Sequence, residues 1–187
     1  NIQALMSIKT RLEDLGLAPG SFEWKPAKAG DGPYPGLAAF GENDAGIYFG
    51  READLMAGMT KLRVMRKRRA PRLLAIVAAS GAGKSSYLRA GLWPRLQRDP
   101  DFAPLAILRP ALGILSGPDG VGRRMAPFFA HFGKTKVPGD INAQLTGISA
   151  TSALSSLIAE ATALAATARR AGDPDARPPA PLIAIDQ

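Results

Sequence analysis

The sequence predicts an α/β fold: a parallel sheet with helices on both faces. Three observations predict it. Three short apolar runs bounded by turn residues, Arg72–Val77 (RLLAIV), Pro104–Arg109 (PLAILR) and Pro181–Ile185 (PLIAI), read as strands buried on both faces. Segments with helical spacing separate these runs. A Gly-rich turn, AASGAGKSS, joins the first run directly to an amphipathic helix. Strands that alternate with helices pair in parallel, because each connection must cross back over the sheet.

The elements follow in chain order. Ile2, Leu5, Ile8, Leu12 and Leu15 fall at helical spacing over residues 2–17, and Pro19-Gly20 ends that helix. From Gly20 to about Gly36 the chain is rich in Pro, Gly and Lys and reads as a linker. Residues 1–32 are therefore assigned as helix and linker, and 33–187 as the main domain. A turn-rich entry precedes a helix from about Arg51 to Arg68, with Leu55, Met59 and Leu62 as its core stripe and Pro71 closing it. After the first strand and its turn, a helix runs through Leu88 and Leu92 towards Pro94. Following the second strand, a weakly patterned stretch holds Phe128, Phe129 and the single histidine, His131. Ala153 to Arg170 is an alanine-rich helix, capped by Thr151 or Ser152 and carrying Arg169-Arg170 at its end. The third strand ends in Asp186.

Composition narrows the class. The 187 residues suffice for one α/β domain, with little left for a second. A 46% hydrophobic content excludes a disordered tail or a fibrous sequence. There is no apolar run of about eighteen residues, the length of a membrane-spanning helix, and the N-terminus lacks a secretory layout. The chain contains no cysteine, which excludes disulfides and thiolate metal sites and fits a reducing cytoplasm. Seven of the basic residues behind the net charge of +8 lie between Lys61 and Arg72. They read either as a nucleic-acid patch or as a solvated helix end; the missing interleaved aromatics favour the helix end. The sequence opens on Asn1 and stops at Gln187, directly after a strand, so the chain is expected to be part of a longer protein, cut at that strand.

The strongest chemical signal is Ala78-Ala79-Ser80-Gly81-Ala82-Gly83-Lys84-Ser85, with Ser86 following. It fits the P-loop pattern G-x-x-x-x-G-K-[ST], with Ala78 in place of the first glycine. Gly81 and Gly83 let successive N–H groups turn inward on phosphate oxygens, and the helix starting at Lys84 adds the positive end of its dipole. Lys84 supplies a point charge to the β- and γ-phosphates, and Ser85 a hydroxyl to Mg²⁺. The predicted fold is thereby a three-layer P-loop sandwich, with ATP and Mg²⁺ as expected cofactors. Asp186, at the carboxyl end of an apolar strand expected to lie beside the P-loop strand, reads as the Walker B aspartate that holds Mg²⁺, so Lys84 and Asp186 are the candidate catalytic pair. Phe49-Gly50-Arg51-Glu52, opening the helix that leads to the P-loop strand, is a third and weaker signal.

Together these motifs resemble the bacterial novel STAND-type NTPases, signal-transducing relatives of the AAA+ ATPases. The segment PYPGLAAFGENDAGIYFGRE (Pro33 to Glu52), the run LLAIVAASGAGKSSYLRAGLWPRL, Leu108-Arg109-Pro110 and Asp186-Gln187 carry the resemblance. It covers roughly residues 33–110 and 181–187. The resemblance implies that Phe49, Gly50 and Arg51 lie over adenine and ribose, although core packing is an equal reading for Phe49. It also implies an effector domain, such as a TIR domain, before this chain, sensor repeats after it, self-association on activation, and slow ATP hydrolysis in the full protein.

Two other functions compete with this reading. A small-molecule kinase would need lid arginines, for which Arg123 and Arg124 are the candidates. A nucleic-acid-dependent ATPase would use the basic stretch at 61–72. Neither accounts for the motif set as well as a regulatory switch does. His131 reads as a packing or surface residue, and Arg109 as an ion-pair residue in preference to a γ-phosphate contact.

Overall fold

The computed structural model describes residues 2–14, 16, 20–24, 26, 32–68, 72–110, 113–117 and 119–186. Leu15, Pro19, Pro71 and Gln187 lie outside the described residues, as do the side chains of Ile8 and Leu12. The chain forms two compact units, Asn1–Asp99 and Pro100–Gln187.

The first unit is helical. Helix α1 spans Ile2–Asp14, and a 3-10 turn spans Glu42–Ile47. Helix α2, Glu52–Lys67, has Glu52 and Asp54 in its first turn and Arg66 and Lys67 in its last, each sign matched to the helix dipole. Leu55 and Met59 are buried as expected, and Leu62 is half-buried. Helix α3 runs over residues 84–98 as Lys84–Ser86, a π-helical stretch Tyr87–Leu92, and Trp93–Arg98. Gly58 and Gly91 let α2 and α3 approach: a Cβ on Gly58 would meet the Tyr87 hydroxyl at 2.4 Å, and one on Gly91 would meet Leu55 at 2.7 Å.

The π-helical stretch has a readable cause. Pro94 has no N–H to give the Ala90 carbonyl four residues back. Arg95 substitutes for it, donating from Nη1 to the carbonyls of Ala90 (3.3 Å) and Gly91 (2.7 Å). Its guanidinium is buried, and desolvation pulls its pKa below the usual arginine range.

The second unit holds the sheet. Strands β1 (Phe102–Leu108) and β2 (Ala180–Ile185) pair in parallel, from Phe102 opposite Ala180 to Leu108 opposite Ile185. The register slips between Pro104 and Ala106, beside a proline that cannot donate to a ladder. Helices α4 (Val121–His131), α5 (Pro138–Gln144) and α6 (Ala150–Gly172) complete the unit. Leu105, Val121, Met125, Phe129, Ile141 and Leu157 form its core. Asn142 ties α5 to α4: its Oδ1 accepts the Gly122 N–H at 3.1 Å, and its Nδ2 donates to the Gly117 carbonyl at 2.9 Å.

The protein is thus mixed α/β with a parallel pair of strands, as the alternation of runs predicts. Three expectations are corrected. Residues 72–79 belong to no ladder among the described residues, and Leu73 and Val77 are 85% and 89% exposed. An apolar run records what a segment is suited to bury, whereas its burial requires a paired neighbour, and the first unit offers no other strand among its described residues. The run at 104–108, in β1, is buried as expected, but β2 is half-buried with Ile185 exposed. Helix α6 starts at Ala150 after Ser149, two or three residues ahead of the expected cap at Thr151 or Ser152. The Ser152 hydroxyl donates back to the Ser149 carbonyl (2.8 Å), and Ser155 to that of Thr151 (2.9 Å), as hydroxyls inside a helix do.

Candidate phosphate-binding site

The P-loop is shaped by its glycines. A turn closes with the Ala82 N–H donating to the Ala79 carbonyl at 3.3 Å. Gly81 and Gly83 have φ of 77° and 76°, a left-handed conformation that side chains disfavour. Gly83 caps α3, so Lys84, Ser85 and Ser86 form its first turn, where backbone N–H groups have no partner within the helix. The Lys84 ammonium folds back across the loop, donating to the carbonyls of Ala78 (3.0 Å) and Ala79 (2.9 Å). Gly83→Ala is expected to cost about 1–2 kcal/mol of stability, because alanine must adopt a left-handed backbone. The added Cβ would meet only Arg51 Nη1, at 4.0 Å, so space is not the obstacle. Gly139→Ala, in helix α5 with open space and no positive φ, is the contrasting control in the same denaturation series and is expected to stabilise by about 0.4–1 kcal/mol.

The segment Phe49-Gly50-Arg51 meets this loop. Arg51 donates from Nη1 to the Ala82 carbonyl at 3.3 Å and from Nε to Asp54 Oδ2 at 2.6 Å. Its guanidinium also lies 5.6 Å from the centre of the Tyr87 ring. The hydrogen bond from Arg51 to Asp54 raises the pKa of the guanidinium further. Gly50, with φ of 82°, donates its N–H to Glu52 Oε1 at 2.9 Å, and backbone N–H bonds to this carboxylate lower the Glu52 pKa. Phe49 is 60% exposed, which separates it from the core. Ser86 Oγ accepts the Phe40 N–H at 3.1 Å, joining the entry segment to the first turn of α3.

Asp54 and Tyr87 are absent from the residues that the sequence singles out. The Tyr87 hydroxyl donates to the Asp54 carbonyl at 2.7 Å, and burial raises its pKa. Asp54 was findable, three residues after Arg51 on a predicted helix. Nothing in the sequence marks Tyr87.

The remaining candidates lie as follows. Asp186 belongs to the second unit, directly after β2; it is buried, and its N–H donates to the Leu108 carbonyl at 2.9 Å. Ser85 is half-buried in the first unit. Among the described residues no group of three or more His, Cys, Asp or Glu side chains is gathered as for a metal ion. His131 is exposed at the end of α4, with its ring edge-on to Phe132 at 5.0 Å. Arg123 and Arg124 face Asp119 at 3.6 and 3.9 Å, and Arg109 is exposed. Within the basic stretch, Arg63 is engaged by Asp99 at 2.6 Å. Among the described residues no helix is long and apolar enough to cross a membrane.

No curated protein and no solved structure matches the chain. A family model does: Novel STAND NTPase 1 matches residues 33–187. That span begins where the entry segment begins and takes in the P-loop, the helix it opens and both strands. With most of its length matched, the chain belongs to the novel STAND NTPase 1 family, a family of nucleotide-binding proteins.

Proposed function

We propose that this chain is the ATP- and Mg²⁺-binding switch module of a larger STAND NTPase, coupling a sensor to an effector. The observation that carries the reading is the geometry of residues 78–84, a loop turned by two left-handed glycines onto the head of a helix, with Lys84 folded over it. Backbone N–H groups in that arrangement suit phosphate oxygens, and Lys84 offsets their charge. In this reading Arg51, which bonds to Ala82 of the loop, contacts the ribose or base, and the exposed Phe49 ring stacks on adenine; the Arg51–Ala82 bond and the exposure of Phe49 support it. Within the family fold, a three-layer P-loop sandwich is the arrangement we propose for the domain at 33–187.

The donor types fit magnesium. Ser85 has a hydroxyl in the first turn of α3, and Asp186 a buried carboxylate, both hard oxygen donors. The assignment of Asp186 rests on its place at the carboxyl end of a parallel strand, where such sheets bind ligands. Magnesium held by such oxygen donors would neutralise phosphate charge. Lys84 would hold the γ-phosphate in line, and hydrolysis in the full protein would reset the switch. The preceding effector, TIR-type or other, the sensor that follows, self-association on activation and a cytoplasmic location belong to the same proposal.

Calorimetric titration of ATP, ADP and GTP, with and without Mg²⁺, tests the reading. Adenine-selective, magnesium-strengthened binding is the expected result. A chain that melts cooperatively yet binds no nucleotide would refute it.

A further inference from the structure

Residues 21–24 lie against the far end of the helix that the P-loop opens. The Phe22 ring sits against two guanidinium groups of α3, with Arg98 Cζ 3.7 Å and Arg95 Cζ 5.1 Å from its centre. Arg98 also donates to the Ser21 carbonyl. Trp24 Nε1 donates to Asp44 Oδ1 at 3.2 Å, while Asp44 Oδ2 accepts the Gly41 N–H at 2.8 Å. The backbone fits closely over the 3-10 turn: a Cβ on Gly46 would come within 2.6 Å of the Phe22 carbonyl oxygen and of the Trp24 nitrogen.

Arg95 connects this contact to the P-loop helix. It holds the carbonyls of Ala90 and Gly91, which lie in the π-helical stretch where the Trp93 N–H reaches back five residues to Leu88. Among the described residues the buried Arg95 Nε has no hydrogen-bond partner, so the guanidinium depends on its carbonyl contacts and on the Phe22 ring. A π-turn carries one residue more than an α-turn and is a costly local state that needs such support. The stretch begins directly after the Lys84–Ser86 turn, so its register sets how that turn meets the rest of the helix.

We propose that residues 21–24 are a clamp whose docking stabilises the π-helical register of α3 and so raises the nucleotide affinity of the P-loop. This rests on the nucleotide reading above. Docking and nucleotide binding then strengthen each other by the same factor, because coupling between two binding equilibria is reciprocal. Movement of the segment upstream of residue 21 would thereby be read at Lys84 without any contact to the nucleotide.

The test uses the whole chain. Gly46→Ala displaces the clamp without touching the P-loop or Arg51, and Phe22→Ala removes its ring. Each is expected to weaken ATP binding by about five- to tenfold, a typical coupling, with Phe22→Tyr restoring it. In the unaltered protein, saturating ATP with Mg²⁺ is expected to slow amide exchange across residues 21–24. Unchanged affinity in folded Gly46→Ala and Phe22→Ala, beside clear binding by the unaltered chain, overturns the clamp and leaves the nucleotide reading standing. A folded, unaltered chain that binds no ATP overturns both. Where the variants fail to fold, the exchange experiment decides: unchanged exchange at 21–24 overturns the clamp.

Discussion

Lys84→Ala is expected to weaken ATP binding about 10- to 100-fold, since hydrogen bonds to charged groups contribute about 1.5–3 kcal/mol each. The effect should fall on binding and spare folding. The Lys84 ammonium bonds to the carbonyls of Ala78 and Ala79, two groups of an exposed loop that water can satisfy instead. Its removal is therefore expected to change unfolding free energy by no more than about 1 kcal/mol. Calorimetry gives the first quantity and a urea titration the second. Equal affinity in the variant and the unaltered chain would remove Lys84 from the site, whatever the loop's shape.

Phe129→Ala should produce the largest stability loss in the second unit. The ring is fully buried on α4 in the core with Leu105, Met125 and Leu157, meets Phe128 edge-on at 6.0 Å, and carries the Lys136 ammonium 5.0 Å from its centre. Truncation removes the transfer free energy of the ring and leaves a cavity, together about 3–5 kcal/mol. Against a typical total stability of about 5–15 kcal/mol, such a loss would bring the unit close to unfolding. The urea midpoint is expected to fall steeply, and Phe129→Leu to recover most of the loss. A midpoint that stays put would mean that α4 does not pack as described.

The shape of the loop at 78–85 was legible because it is local. Gly81 and Gly83 take the left-handed conformation expected of them, and a helix opens directly after them at Lys84. The pairing of Phe102–Leu108 with Ala180–Ile185 was legible only in part: both runs are apolar and the helical residues between them fit a crossover connection, but the last run was expected beside residues 72–77, which belong to no ladder among the described residues. The π-helical stretch was only half legible. Pro94 signals a lost hydrogen bond, but the rescue by Arg95 is a side-chain placement that residue type does not announce.

Residue order alone settles the left-handed glycines of the loop at 78–85, the two apolar runs that become strands and the helices on either side of that loop, since each depends on spacing within a few residues or on apolar content. Only the tertiary structure decided that Arg51 reaches Ala82 across 31 positions of sequence, that Tyr87 bonds to Asp54, and that Phe22 stacks on Arg95 and Arg98. It also decided that Leu73 and Val77 are exposed where their composition predicted burial. The physical reason is common to all four: a local pattern states which groups need a partner, while the partner is chosen by how distant segments pack.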